Sequence, residues 1–390
     1  MNIQEIQSLI RNENADVWVM VDYENRNPNV VSLLGKCMLT RKVVLVLPAE
    51  GKPIVICHSI DAVFLKNNPD FDLRIYQTWN ELLAEEKEVL LPFKTVMMDI
   101  SEQGLLPRVS LADYGSVDYV KRLGKTVVSS ADLLQSLTAV LSEKQYVSQL
   151  NACEKALKIK DEAFAYLAKK IREKGESNEY EIQQFIARRF TEENMVFDEP
   201  PIVAIGANAS DPHYGPTAEK FSPIKKGDLV LIDMWAKNDE PDGVYADITW
   251  MAYVGESVPE IYAERFAIIK EARDAVIAFL TRELSKRKVQ AYEADDVARQ
   301  VIASHGYGKY FIHRLGHNIA DDVSPHGPGA NLDNFESHDF RTLLEGTSFS
   351  DEPGIYAPDF GMRTETDLHI KDGQLVVIAG QQEEIVPLLK

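Results

Sequence analysis

Leu229-Val-Leu-Ile-Asp-Met-Trp-Ala236 reads as a buried strand with a carboxylate in its middle. The pattern recurs in Val244-Tyr-Ala-Asp-Ile-Thr-Trp-Met-Ala-Tyr-Val254, where Asp247 interrupts an apolar and aromatic run. Between them Lys237–Gly243 is polar and ends Asp242-Gly243, which predicts a hairpin holding Asp233 and Asp247 near one level of a sheet. An unpaired buried carboxylate is costly or takes up a proton, and two close together are worse. The simpler alternative is that each faces solvent or a neighbouring Lys or Arg. Three segments downstream weigh against it.

Phe311-Ile-His-Arg-Leu-Gly-His-Asn-Ile319 carries His313 and His317, and Ser324-Pro-His-Gly-Pro-Gly329 adds His326. Ser350-Asp-Glu-Pro-Gly-Ile-Tyr356 places Glu352 at an expected strand end before a Pro-Gly turn. Gly361-Met-Arg-Thr-Glu-Thr-Asp367 places Glu365 inside a further expected strand. Five of the eight histidines fall between His305 and His338, so this stretch is enriched in potential ligands.

With these residues in view the chain resembles the metallopeptidases of the pita-bread fold, which include prolidase, aminopeptidase P and methionine aminopeptidase. The resemblance spans nearly the whole chain. It implies five metal ligands, Asp233, Asp247, His317, Glu352 and Glu365, in the family's order and local motifs. The E-P-G-I-Y run and the following R-x-E are its more specific short signals. The resemblance further implies that His213, in Gly206-Ala-Asn-Ala-Ser-Asp-Pro-His-Tyr214, assists at the scissile bond, and that His326 contacts the substrate carbonyl. It implies substrate-binding roles for His313, linked to proline-containing substrates, and for Arg363. Glu352 is implied to be ligand and general base at once.

The donor chemistry agrees. Four carboxylates and a neutral imidazole are hard, oxygen-rich ligands suited to Mn²⁺, Co²⁺, Zn²⁺ or Fe²⁺, with Mn²⁺ favoured here. Four negative charges balance two such ions with room for a bridging hydroxide, and paired ions acidify water and polarise a carbonyl. Departures from the family pattern border this set. The aspartates lie 14 positions apart (247 − 233), a longer loop than usual. Gly-His-Asn-Ile-Ala replaces a glycine-rich run, the step from His317 to His326 is also longer, Asp351 precedes Glu352 where an apolar residue is normal, and Trp250 stands where arginine is frequent. None removes a ligand.

Outward from the site, Ser142 and Gln145 form a capping box that opens a helix running to about Lys174. Val147, Leu150, Leu157, Phe164, Leu167 and Ile171 are its expected buried face. Further helices are expected over Asn178–Glu193, from Ser257 with Glu260 as the reciprocal cap and Ile261, Ile268, Ala272 and Phe279 buried, and over Ala291–Ser304. Strands are expected over Leu229–Trp235, Val244–Val254, Thr347–Asp351 and Arg363–Ile370. This interleaving predicts an α+β domain with an antiparallel sheet, curved in the pita-bread family, over residues 139–390.

Residues 1–138 alternate strand patterns (Val17–Val21, Val43–Leu47, Ile54–Cys57, Thr95–Met98) with helix patterns (Ser59–Lys66, Trp79–Val89, Ala112–Leu123), an α/β domain. The resemblance makes it the N-terminal domain of the creatinase and prolidase type. At 390 residues two domains are the expectation.

Lys and Arg number 42 against 61 Asp and Glu, a balance of −19 that repels nucleic acid. No apolar run reaches membrane-helix length and no secretory signal is visible. Three scattered cysteines, Cys37, Cys57 and Cys153, predict a reducing cytoplasm and no disulfide framework. The expected function is a di-metal exopeptidase that hydrolyses the Xaa-Pro bond of dipeptides or short peptides, with proline at the second substrate position. A homodimer is expected by resemblance. The alternatives are a creatinase-like C–N hydrolase or a non-catalytic binding protein on the same scaffold, both of which go with ligand loss.

Overall fold

A computed structural model describes residues 2–35 and 37–390. The chain divides into two compact units, Met1–Leu137 and Thr138–Lys390.

The first unit is built on a six-stranded mixed sheet. Its spatial order is Asp72–Tyr76, Ile54–His58, Val43–Pro48, Val17–Asp22, Thr95–Met98, Thr126–Ser129. Side chains alternate across a strand, so Trp18, Met20, Leu45 and Leu47 enter one apolar cluster while Val17, Val19, Val44 and Val46 enter another. Burial on both faces explains why these strands read as unbroken apolar runs. The edge strands Asp72–Tyr76 and Thr126–Ser129 were not expected, because they are short and largely unburied. The expected Ser59–Lys66 helix is only a 3₁₀ turn, Asp61–Phe64. Asp61 turns inward there to accept from Thr40 N–H, Thr40 Oγ1 and Arg41 N–H.

In the second unit the helix Glu143–Lys174 starts on the Ser142–Gln145 capping box and stops at Gly175, whose φ of +82° suits glycine. Its buried stripe includes Ala152, Ala156, Ile159, Phe164, Leu167 and Ile171. Val147 and Leu150, expected there, are exposed at 55% and 36%. The first turns instead face inward with Ser148 and Gln149, which bond Glu240 and the Tyr245 carbonyl of the hairpin. The helix expected from Ser257 runs Glu260–Leu284, with Pro259 at its N-cap and no side-chain cap. Pro259 has a ψ of 140°, which keeps it outside the helix, so Ser257 lies too far upstream to serve the first N–H groups. Phe266, Ile269, Ala272, Val276 and Leu280 form its buried face; Ile261 is exposed, and Ile268 and Phe279 are half-buried.

Two antiparallel sheets meet in this unit. One contains Leu229–Asn238 paired with Ala246–Tyr253, flanked by Met195–Val196, Ile202–Ile205 and a parallel edge, Val386–Pro387. The other is Asn318–Ile319, Ser348–Asp351, Thr366–Lys371, Gln374–Val377. A hairpin of Gly354–Ala357 and Phe360–Arg363 connects Ser348–Asp351 to Thr366–Lys371. The expected strand Arg363–Ile370 is therefore two strands, with Glu365 in the break. Glu352 and Pro353 occupy a similar break, and Gly354 opens the next strand rather than a turn. Both breaks have a cause: Glu365 N–H donates to Thr249 O and Glu352 N–H to Leu315 O, each outside its own ladder. Leu229 and Leu231 face one core cluster and Val230 and Ile232 the other, so by alternation Asp233 lies on the Leu231 face.

Candidate metal centre

Asp233 pairs with Thr249 across the hairpin and Asp247 pairs with Trp235. The two aspartates are thus diagonal neighbours on one face, separated by two residues along the ladder. Both are buried, at 7% and 4% exposure. Glu365 reaches the same face from the seam, where its Oε2 accepts from Thr249 Oγ1 at 2.7 Å.

His317 arrives from the other sheet. Its N–H donates to Ser350 Oγ and its carbonyl accepts from Ser350 N–H, so the ring is set at the start of Asn318–Ile319. Gly316 makes that approach possible, since a Cβ there would lie 2.0 Å from the Ser350 carbonyl oxygen. His317 Nδ1 lies 3.2 Å from the Asn318 carbonyl and must donate to it, which leaves Nε2 with a lone pair. That lone pair faces Asp247 Oδ2 at 3.4 Å and Glu352 Oε1 at 3.7 Å. Acceptors face acceptors there, an arrangement that a cation or trapped protons must relieve. Asp247, His317 and Glu365 each offer a ligand atom within 4.8 Å of the others.

The acids carry the expected strain. Burial, then the charges of Glu365 and Asp233, hold the Asp247 carboxyl well above the usual range. Burial, then Glu352 and Asp233, does the same for Glu365. Burial raises Asp233 and Arg363 offsets part of it; Glu352 is pushed up to about 7, again chiefly by burial. Burial and the neighbouring His326 hold His317 well below the ordinary imidazole value, so the ring is neutral. The donor set fits divalent ions.

Around this floor lies a cavity of about 450 Å³. All nine residues singled out from the sequence line it: His213, Asp233, Asp247, His313, His317, His326, Glu352, Arg363 and Glu365. His326 stands with its ring centroid 4.1 Å from that of His317. His213 is exposed on a loop and bonded through its N–H to Asp211. Arg363 is buried and committed within the site: Nε donates to Thr249 Oγ1, Nη1 to Tyr356 Oη, and Nη2 to Asp233 Oδ2.

Tyr356 was not picked out from the sequence. Its hydroxyl accepts from Arg363, so its own proton goes to His313 Nε2 at 2.7 Å. His313 then carries its proton on Nδ1, donated to the Arg314 carbonyl at 2.6 Å. Burial and the Arg363 charge depress this ring to about 3, so it stays neutral. The last residue of E-P-G-I-Y was the available signal. Asp351 faces away: it pairs with Thr366, is fully buried, and neither oxygen accepts a hydrogen bond. Behind these acids, Asp367 Oδ2 accepts from Asp247 N–H and from Cys153 Sγ.

Residues 151–372 match the family model described as metallopeptidase family M24. A Xaa-Pro dipeptidase of Pyrococcus horikoshii is 27% identical over 365 residues, covering 92% of this chain and 93% of that protein. An uncharacterized peptidase of Bacillus subtilis, YqhT, is 30% identical over 269 residues, 67% of this chain and 70% of that one. Among solved structures, dipeptidase PepE from Mycobacterium ulcerans superposes with a TM-score of 0.65 at 21% identity, covering 99% of this chain and 96% of its own.

Proposed function

The chain belongs to metallopeptidase family M24 and has its pita-bread fold, and from that premise we propose that it is a di-metal peptidase of Xaa-Pro bonds in dipeptides or short peptides. One observation carries the reading. Four carboxylates converge with a neutral imidazole whose lone pair points at two of them. The substrate class is supported by the name of the Pyrococcus relative.

Asp233, Asp247, His317, Glu352 and Glu365 would hold two divalent ions, with manganese favoured and cobalt and zinc suited to the same donors. When bound, the ions supply Lewis acidity and an acidified water. The chain's own groups do the rest. Glu352 is the most open of the ion-paired acids, its side chain 15% exposed against 10% for Asp233 and 6% for Asp247, and it is the group placed to take the proton of the attacking water. It passes that proton to the proline nitrogen, a poor leaving group until protonated. His213 and His326 approach from two loops to assist at the scissile bond and hold the carbonyl. Arg363 favours the ionised form of Asp233 and orients it, and His313 remains a neutral ring beside the substrate. The three cysteines, all unpaired, fit a reducing cytoplasm, and a homodimer accompanies the reading.

Elemental analysis of purified protein, with hydrolysis of Ala-Pro and of a longer Xaa-Pro peptide, tests it. Two ions per chain and turnover are expected. Glu365→Ala should lose both ions, and Glu352→Gln should lose roughly a thousandfold in kcat. A metal-free protein without hydrolysis would point to a binding role on this scaffold, and metal-free turnover to a creatinase-like hydrolase.

A further inference from the structure

Two guanidinium groups line the cavity, and they are in opposite states. Arg363 has every nitrogen engaged. Arg314 does not. Its backbone N–H donates to Glu336 Oε1 at 2.9 Å and its Nη1 to Glu336 Oε2 at 2.8 Å. Among the described residues the guanidinium makes no other hydrogen bond, and Nε is buried without a partner. The side chain is 23% exposed, and Glu336 lines the same cavity.

The main chain of Arg314 is fixed from both sides. Glu336 holds its N–H, and His313 Nδ1 donates to its carbonyl. A guanidinium presents five N–H donors in a rigid fork that matches a carboxylate. Here a fixed backbone presents that fork with most of its donors unspent, beside a floor of four acids.

We propose that Arg314 receives a carboxylate of the peptide substrate, with Glu336 holding the fork in place. The inference rests on the Xaa-Pro reading and refines it to substrates carrying a second, non-reacting carboxylate. Two sources share that chemistry: the free C-terminus of a dipeptide, or an acidic side chain on the first residue.

The test compares Ala-Pro, Ala-Pro-amide and Asp-Pro-amide on the metal-loaded wild type, Arg314→Met and Arg314→Lys. If the C-terminus is the partner, wild type favours Ala-Pro over its amide by about tenfold or more in KM, as expected of a bidentate charged contact. Arg314→Met brings that ratio close to one, and Arg314→Lys, with the charge but no fork, lies between. If the side chain is the partner, the ratio that collapses is Asp-Pro-amide against Ala-Pro-amide. Ratios equal in wild type and Arg314→Met overturn the inference. Calorimetric binding of the same compounds gives the same ratios without turnover. An enzyme that hydrolyses none of them therefore refutes the Xaa-Pro reading while Arg314 is still judged. Should Arg314→Met fail to fold, the comparison rests on Arg314→Lys.

Discussion

His317 Nε2 faces Asp247 Oδ2 at 3.4 Å, and Nε2, with its ring proton spent on the Asn318 carbonyl, has no proton to offer it. Two acceptors pressed together in a buried site are a stored demand for positive charge, so protons and metal ions must compete for it.

Metal affinity should therefore rise with pH. Glu352 is held at about 7 against an ordinary 4.5, and Asp247 and Glu365 are also held well above the usual carboxylate range, all first by burial. A raised carboxyl keeps its proton in the folded chain after the unfolded chain has lost it. From this group the metal-free protein loses stability as pH climbs from about 4.5 to about 7, and the loss is complete above that. Calorimetry in buffers of different ionisation heat should count more protons released per ion at pH 6 than at pH 8. Affinity unchanged across that range would refute the competition.

Tyr356→Phe should disturb two partners at once. The hydroxyl accepts from Arg363 and donates to His313, and the ring is buried at 6% exposure. Leaving both partners unsatisfied should lower stability by about 1 to 3 kcal/mol. Arg363 also holds Asp233, so metal affinity should fall together with kcat. His313 lies near 3 and stays neutral, so the variant should gain no new step in its pH–rate profile near pH 6. Chemical denaturation and metal titration check the first two effects.

The legibility of the site followed the cost of its residues. Asp233 and Asp247 stood out because each breaks an apolar strand, and His317, Glu352 and Glu365 because each sits in a short motif. Tyr356 did not, because a tyrosine opposite Gly361 in a strand looks like any core aromatic. Arg314 and Glu336 are 22 positions apart, and only the folded loops bring them together. Periodicity marked the long helix but not where its cover ends, so Val147 and Leu150 were placed in a core they overhang. In the first unit the strand Asp72–Tyr76 was invisible because only Tyr76 in it is buried.

Gly316→Ala should damage the centre without touching any of the five proposed ligands. The added Cβ would meet the Ser350 carbonyl oxygen at 2.0 Å and its carbon at 2.8 Å, both backbone atoms that cannot swing away. His317 must move with the displaced strand. Overpacking of this kind costs about 1 to 3 kcal/mol. The expected outcome is a lower Tm and weaker metal binding, and an unchanged metal content at limiting ion concentration would refute the close-approach argument.

Glu179 is a fully buried carboxylate at the start of Glu179–Glu192 that gathers the loop carrying His213. Oε1 accepts from Ile205 N–H at 2.9 Å and Asn208 Nδ2 at 3.0 Å. Oε2 accepts from Tyr214 Oη at 2.6 Å and Ser222 N–H at 2.7 Å. Four donors from residues 205–222 thus converge on one side chain, and Tyr214 is the immediate neighbour of His213. In sequence it looked like an ordinary acid of a helix's first turn, which is why it went unnoticed. Glu179→Ala leaves those donors unsatisfied and should cost about 3 kcal/mol or more. Glu179→Gln keeps the shape but turns an NH₂ toward groups that donate, so it should loosen the loop while the core persists. If Glu179 acts by placing His213, Glu179→Gln lowers kcat in the parent but adds little in a His213→Ala background. Metal content should stay at its parental level in both. Fully additive losses in that double-mutant cycle would make Glu179 a support of the fold alone.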